Sequence, residues 1–253
     1  MQPEIDLGPL TLQTFGIMLA LGFIGAGVLM TRRLREIGRN ADWAYEIAFS
    51  GMVGGLVGSR VDYIIQNYDT VSGDLLGSVF SGTGLVWFGG LLGGAAGVLL
   101  WARLRGFLGL RLLDLCAPAL ALGYAVGRVG CQLAGDGDYG VASDVPWAMA
   151  YPDGTVPTTE EVHPTPVYEA LAMTLVAYVL WRLRDRFRPG ILFALYLIAA
   201  GIERLLVEFV RRNEDVAIGL TQAQLISVAM IAAGALWVAS RRGRLAPSPT
   251  VAA

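Results

Sequence analysis

Hydrophobic residues run along this chain in long blocks, not in alternation with polar ones. Seven blocks stand out, at about 12–30, 43–65, 84–102, 112–134, 165–181, 190–210 and 220–240. Each is close to the ~20 apolar residues that an α-helix needs to cross a bilayer. The first, third, fifth and seventh are clean; the second, fourth and sixth carry Arg60, Arg128 and Arg204. The pattern predicts an all-α integral membrane protein with about seven transmembrane helices.

The polar positions between the blocks orient it. Arg32, Arg33, Arg35 and Arg39 follow the first block, and Arg103, Arg105 and Arg111 the third. Arg182, Arg184, Arg186 and Arg188 follow the fifth, and Arg241, Arg242 and Arg244 the seventh. The alternate loops are acidic, with Asp69, Asp74, Asp136, Asp138, Asp144, Asp153, Glu160 and Glu161; only Arg211 and Arg212, beside Glu214 and Asp215, break the pattern. Basic loops stay in the cytoplasm. The expected N-terminus is therefore outside and the C-terminus cytoplasmic. The longest loop, about 135–163, holds Pro146, Pro152, Gly154 and Pro157. It reads as an ordered cap, a small extracytoplasmic head region. The stretch 66–83 reads as a smaller outer element on the membrane. The expected organisation is one polytopic membrane domain, 1–244, followed by a disordered cytoplasmic tail, 245–253. Glu4 and Asp6 precede the first block and no basic residue does, unlike a cleaved signal peptide, so that block is expected to be a retained helix.

Composition narrows the function. Only 16% of residues are charged, against about 25% in soluble domains. The net charge of −2 argues against a nucleic-acid partner. All 19 basic residues are Arg, so a retinal Schiff base is excluded. Two cysteines (Cys116 and Cys131), one histidine (His163) and no CxxC make a poor zinc site. No metal or organic cofactor is expected, and both cysteines read as small packing residues. Pairs such as Gly54/Gly58, Gly89/Gly93 and Gly123/Gly127 have the spacing that lets helices approach closely in lipid. No internal repeat is visible, which weighs against a transporter.

Ionisable residues at membrane depth mark candidate chemistry. Arg128 lies in Gly127-Arg128-Val129-Gly130-Cys131-Gln132-Leu133-Ala134-Gly135-Asp136-Gly137-Asp138-Tyr139-Gly140. A guanidinium there can grip a lipid phosphate with two hydrogen bonds, or simply pair with a carboxylate such as Asp136. Arg204 and Glu208 are four apart and share a helix face, while Glu203 points elsewhere. His163, Tyr168 and Glu169 open the fifth block beside Pro164 and Pro166, which suit a first helical turn. Gly89 and Gly90 open the third, which by itself says packing or a backbone-lined cavity.

In order, the segments WFGGLLGG, GRVGCQLAGDGDYG, HPTPVYE and ERLLVEFVRR resemble the signatures of prolipoprotein diacylglyceryl transferase. The likeness runs from Phe15-Gly16 through Gly58-Ser59-Arg60 to the Arg204 segment and covers most of the chain. It implies seven spanning helices in the same orientation, in the bacterial inner membrane. It implies phosphatidylglycerol and a preprolipoprotein signal peptide with a lipobox cysteine as substrates. The cysteine sulfur would attack the glycerol carbon next to the phosphate, and glycerol 1-phosphate would leave. By motif, Arg128 resembles the lipid-binding arginine, with Gly130, Gly140, Gly89, Gly90, Tyr168 and Glu169 on the substrate-binding side. Arg204, Glu208, His163 and Asp136 fall on the catalytic side. Gly140 comes one residue late. Phe88, Phe15 and Ala200 stand where the family often has His, Tyr and Tyr, and Cys131 and Ala134 where it has Asn. The thiol-activating side is therefore thinner, with His163, Glu208 or Asp136 to supply the base. Two other readings remain open: a paralogue using the same lipid with another acceptor, and a non-enzymatic anion or lipid transporter.

Overall fold

The computed structural model describes residues 1–8, 10–68, 86–217 and 219–241. The stretch 66–83 lies mostly outside the described residues, and the tail 245–253 entirely outside them. Seven helices are found among the described residues: α1 (Thr14–Glu36), α2 (Trp43–Gln66), α3 (Trp87–Leu104), α4 (Leu110–Ala134), α5 (Thr165–Leu183), α6 (Ile191–Glu208) and α7 (Gln222–Ser240). They fall on the seven hydrophobic blocks. By length and composition, α1, α4 and α7 are apolar enough to cross a membrane, and Phe88–Leu104 forms a shorter apolar helix. The charges at Glu203, Arg204 and Glu208 in α6, and at Glu46, Arg60 and Asp62 in α2, dilute the other segments.

The fold is mostly helical rather than all-α. Among the described residues, three two-stranded antiparallel sheets accompany the helices: β1 (Glu4–Leu7) with β2 (Leu10–Gln13), β3 (Met149–Tyr151) with β4 (Thr158–Val162), and β5 (Asp215–Ala217) with β6 (Leu220–Thr221). Strands of two to five residues carry too little alternation to show in the sequence.

The chain divides into two compact units, Met30–Leu112 and the remainder. In the Met30–Leu112 unit, α2 and α3 meet backbone to backbone. A Cβ on Gly58 would lie 2.7 Å from Gly93 Cα, and one on Gly97 would press on Ser50. The glycine spacing is thus a packing seam: with no side chain between them, the helices gain dispersion contacts along their whole length. The Ser59 hydroxyl donates to the Val86 carbonyl at 2.8 Å, and Asp62 accepts from the Gly89 N–H at 3.0 Å. Trp43 packs edge-on to Trp101 and against Phe107.

In the other unit, α4, α5 and α6 share a core of Ala117, Ala121, Ala125, Met173, Ala177, Leu180, Leu192 and Ala200. Small alanines on α4 bring its axis close to its neighbours. Gly201 and Gly234 do the same for α6 and α7, where a Cβ on Gly201 would sit 2.9 Å from the Ser227 carbonyl. The start of α6 is capped from another helix: the Gly190 and Phe193 N–H groups donate to Asp114 of α4 at 2.7 and 2.9 Å. Gly190 adopts φ 94°, a left-handed turn that favours glycine. The segment 135–163 carries β3 and β4 and a small core of Tyr139, Tyr151 and Val162. Tyr139 stacks on Tyr151 at 4.9 Å, and the Tyr151 hydroxyl donates to Gln132 at 2.9 Å.

Gly58→Val should lower the stability of the protein by about 1–3 kcal/mol, the cost of overpacking a tight seam. Gly27→Ala, where nothing lies within 4 Å of the new Cβ, should leave it unchanged. Thermal unfolding in detergent, followed by tryptophan fluorescence, compares the two.

Candidate functional site

At one end of the α4–α7 assembly, charged side chains meet around a single carboxylate. Glu169, on the first turns of α5, has a side chain with 0% exposure. The Arg128 Nε lies 3.1 Å from its Oε2. Arg204 Nη1 donates to its Oε1 at 2.9 Å, and Arg211 Nη1 to Oε2 at 3.5 Å. The Tyr124 hydroxyl donates to Oε1 at 2.8 Å. Tyr124 precedes Arg128 by one helical turn, and its ring also carries the Arg128 guanidinium at 4.9 Å. Burying a carboxylate costs several kcal/mol, which only close, multiple charge-assisted bonds offset.

Two further carboxylates complete the cluster. Glu208, also at 0% side-chain exposure, pairs with Arg204 at 2.8 Å, as the four-residue spacing predicts. Its Oε1 accepts from Thr221 at 2.6 Å and from Asn213 at 2.7 Å. Thr221 is at the same time the N-cap of α7, accepting from the Gln224 N–H in a reciprocal capping box. Asp138, on the loop after α4, receives Arg128 Nη1 on Oδ2 and Arg211 Nη2 on Oδ1. Burial works to raise its pKa, but the charges and hydrogen bonds of Arg128 and Arg211 outweigh that and hold the carboxyl below its usual range. Three guanidiniums are thus matched in direct contact by three carboxylates.

The structure unites some of the expected residues and separates others. Arg128, Arg204, Glu208 and Glu169 come together. The carboxylate on Arg128 is Asp138, two residues beyond Asp136; Gly135 at φ 59° and Gly137 at φ 92° turn the chain so that the later aspartate faces inward. Asp136 instead accepts from the Asp138 N–H at 3.3 Å. Gly140 has a steric role: its N–H donates to the His163 carbonyl at 2.8 Å, and a Cβ there would lie 2.9 Å from the His163 Cβ. Its neighbour Val141 donates to Val210, which locks the loop beside Arg211. Gly130 admits α1, since a Cβ would lie 2.9 Å from the Met18 Cβ. Gly89 and Gly90 belong to the Met30–Leu112 unit, facing α2. His163 Nδ1 lies 3.2 Å from the Tyr168 hydroxyl, which accepts from the Trp147 indole N–H at 2.6 Å. Arg211 stands in the sequence only as an exception to the charge pattern, and Tyr124 carries no motif. Tyr124 follows from helix spacing, four residues before Arg128, whereas Arg211 is brought in by the turn that ends α6, its N–H donating to the Glu208 carbonyl.

Cys131, Asp136 and Asp138 place one donor atom each within 4.8 Å of the others. Asp138 is already committed to two arginines, and Arg128 donates to the Cys131 sulfur at 3.8 Å. That adjacent positive charge opposes a cation.

Residues 3–240 match the family profile described as prolipoprotein diacylglyceryl transferase. A phosphatidylglycerol–prolipoprotein diacylglyceryl transferase of Chromohalobacter salexigens is 37% identical over 95% of this chain and 94% of its own. Proteins of the same description from Clostridium tetani and Dehalococcoides mccartyi are 32% and 34% identical, over 92% and 90% of this chain and 95% and 88% of their own lengths.

Glu169→Gln should destabilise the protein by about 3–5 kcal/mol, because it leaves three half-buried guanidiniums with only Asp138 and Glu208 to match them; thermal unfolding measures it. Asp138 has a signed dependence on pH. Its folded pKa lies below the usual 3.8, so its stabilisation is complete above that value and is lost as pH falls through the folded one. The stability difference between wild type and Asp138→Asn should be flat at neutral pH and shrink below about pH 4.

Proposed function

Because the chain belongs to the prolipoprotein diacylglyceryl transferase family, we propose that it moves the diacylglyceryl group of phosphatidylglycerol onto the lipobox cysteine of prolipoproteins. The observation that carries this reading is the convergence of Arg128, Arg204 and Arg211 on one buried patch. A phosphodiester leaving as glycerol phosphate needs cations where its charge develops, and guanidinium forks match its oxygens.

Arg128 and Arg211 hold the lipid phosphate, and Arg204, joined to both through Glu169, adds positive charge where the leaving phosphate develops its own. The acceptor sulfur attacks the glycerol carbon next to the phosphate, the carbon–oxygen bond breaks, and its electron pair leaves on the phosphate. The thiol must lose a proton first, since the thiolate is the nucleophile. Glu208 is committed to Arg204, Thr221 and Asn213, and Asp136 to a backbone N–H. We therefore assign the proton to His163, held by Tyr168 beside the indole of Trp147. The chain lies in the bacterial inner membrane with seven spans, its N-terminus outside and its C-terminus in the cytoplasm. Residues 135–163 cap the outer side. The distribution of arginines between loops supports that orientation.

In cells depleted of their own transferase, expression of this chain should place a diacylglyceryl adduct on the lipobox cysteine of a reporter prolipoprotein, read by mass spectrometry. Arg128→Ala and Arg204→Ala should each lower adduct formation by roughly 100-fold or more. His163→Asn should lower the rate of adduct formation. A well-inserted wild-type protein that yields no adduct overturns the reading and favours another acceptor.

A further inference from the structure

The ion cluster already holds an anion where the proposed substrate would bring one. Asp138 sits between Arg128 and Arg211, one guanidinium on each carboxylate oxygen, at 2.5 Å for Arg211. That is how two guanidiniums share a phosphate.

The three carboxylates of the cluster are not equally fixed. Glu169 and Glu208 are on helices, at 0% side-chain exposure, and each accepts from a neutral hydroxyl besides its arginines. Moving either would strand a buried hydroxyl and a cation together. The Asp138 side chain is 33% exposed and is carried on a loop whose preceding residue, Gly137, has φ 92°. It can reach water at little cost. The other ties of its loop, the Thr165 hydroxyl donating to the Asp138 carbonyl at 2.5 Å, the Asp138 N–H to Asp136, and the Gly140 and Val141 N–H groups to His163 and Val210, hold the backbone without holding the carboxylate.

We propose that Asp138 is a stand-in for the lipid phosphate and sets which headgroups the site accepts. The proposal rests on the transferase reading for the identity of the lipid. Asp138 neutralises the Arg128–Arg211 pair. A phosphodiester monoanion takes its place with no change of charge in the contacts, and the released carboxylate then faces the headgroup. There it accepts hydrogen bonds from glycerol hydroxyls. A dianionic phosphate monoester meets the repulsion of the displaced carboxylate. Asp138 is thus a specificity-determining residue that lowers affinity for every phosphate and lowers it most for dianions.

The test is binding, separate from turnover. Purified full-length protein is placed in nanodiscs of phosphatidylcholine doped with phosphatidylglycerol or with phosphatidic acid, and lipid occupancy is read by native mass spectrometry. Asp138→Asn should bind phosphatidylglycerol roughly tenfold more tightly than wild type, the worth of one displaced charge-assisted pair. It should gain more still for phosphatidic acid. A merely structural Asp138 would give the opposite, weaker binding of both. If Asp138→Asn does not fold, the wild type answers alone: it should bind phosphatidylglycerol more tightly than phosphatidic acid at a pH where the latter is a dianion, whereas arginines without a displaced carboxylate beside them would favour the dianion. Unchanged or weaker binding by a folded variant, or a wild-type preference for dianionic phosphatidic acid, overturns the proposal. Tight phosphatidylglycerol binding without any diacylglyceryl transfer would instead sink the transferase reading and leave the displacement intact.

Discussion

One buried carboxylate organises this protein. Glu169 stands at the head of α5 with no solvent contact, and it is tolerable there only because Arg128 of α4, Arg204 of α6, Arg211 beyond α6 and Tyr124 all reach it. Each of those guanidiniums would also be costly to bury alone. The cluster is therefore an all-or-none arrangement, in which each charge is acceptable because the others are present. It also decides where helices end. α4, α5 and α6 must bring their polar ends to one level, and the loop after α4 must fold back to supply Asp138.

The packing beneath the cluster serves the same demand. Alanines at Ala117, Ala121 and Ala125 and glycines at Gly201 and Gly234 keep helix axes close. Long side chains can then converge from different helices without stretching. In lipid, where hydrocarbon outside is as apolar as leucine inside, close approach and polar contacts are what hold helices together. The same logic, without charges, joins α2 to α3 through Gly58 and Gly93.

Much of this was legible beforehand. The helices fall on the hydrophobic blocks because a block of that length has few alternatives, and Arg204 with Glu208 follows from helical pitch. The hairpins were not legible, since Met149–Tyr151 and Thr158–Val162 are short and carry a register shift. The long-range pairs were hidden for a different reason. Nothing local to Arg128 says that its partner is Glu169, because that contact depends on how three helices pack. Asp136 is the first acidic residue within the motif and the expected partner of Arg128, yet two left-handed glycines aim Asp138 inward instead. A one-dimensional motif records spacing and not the direction in which a turn points a side chain.

The double use of Thr221 and the cap supplied by Asp114 give α6 an unusual mechanical character. Its first N–H groups are held by Asp114 of α4, and its last turn is clamped through Glu208 to the residue that starts α7. A strut bolted at both ends can neither slide by a turn nor rotate about its axis without breaking both fastenings. Any opening of the site that keeps these fastenings must leave α6 in place as a fixed wall.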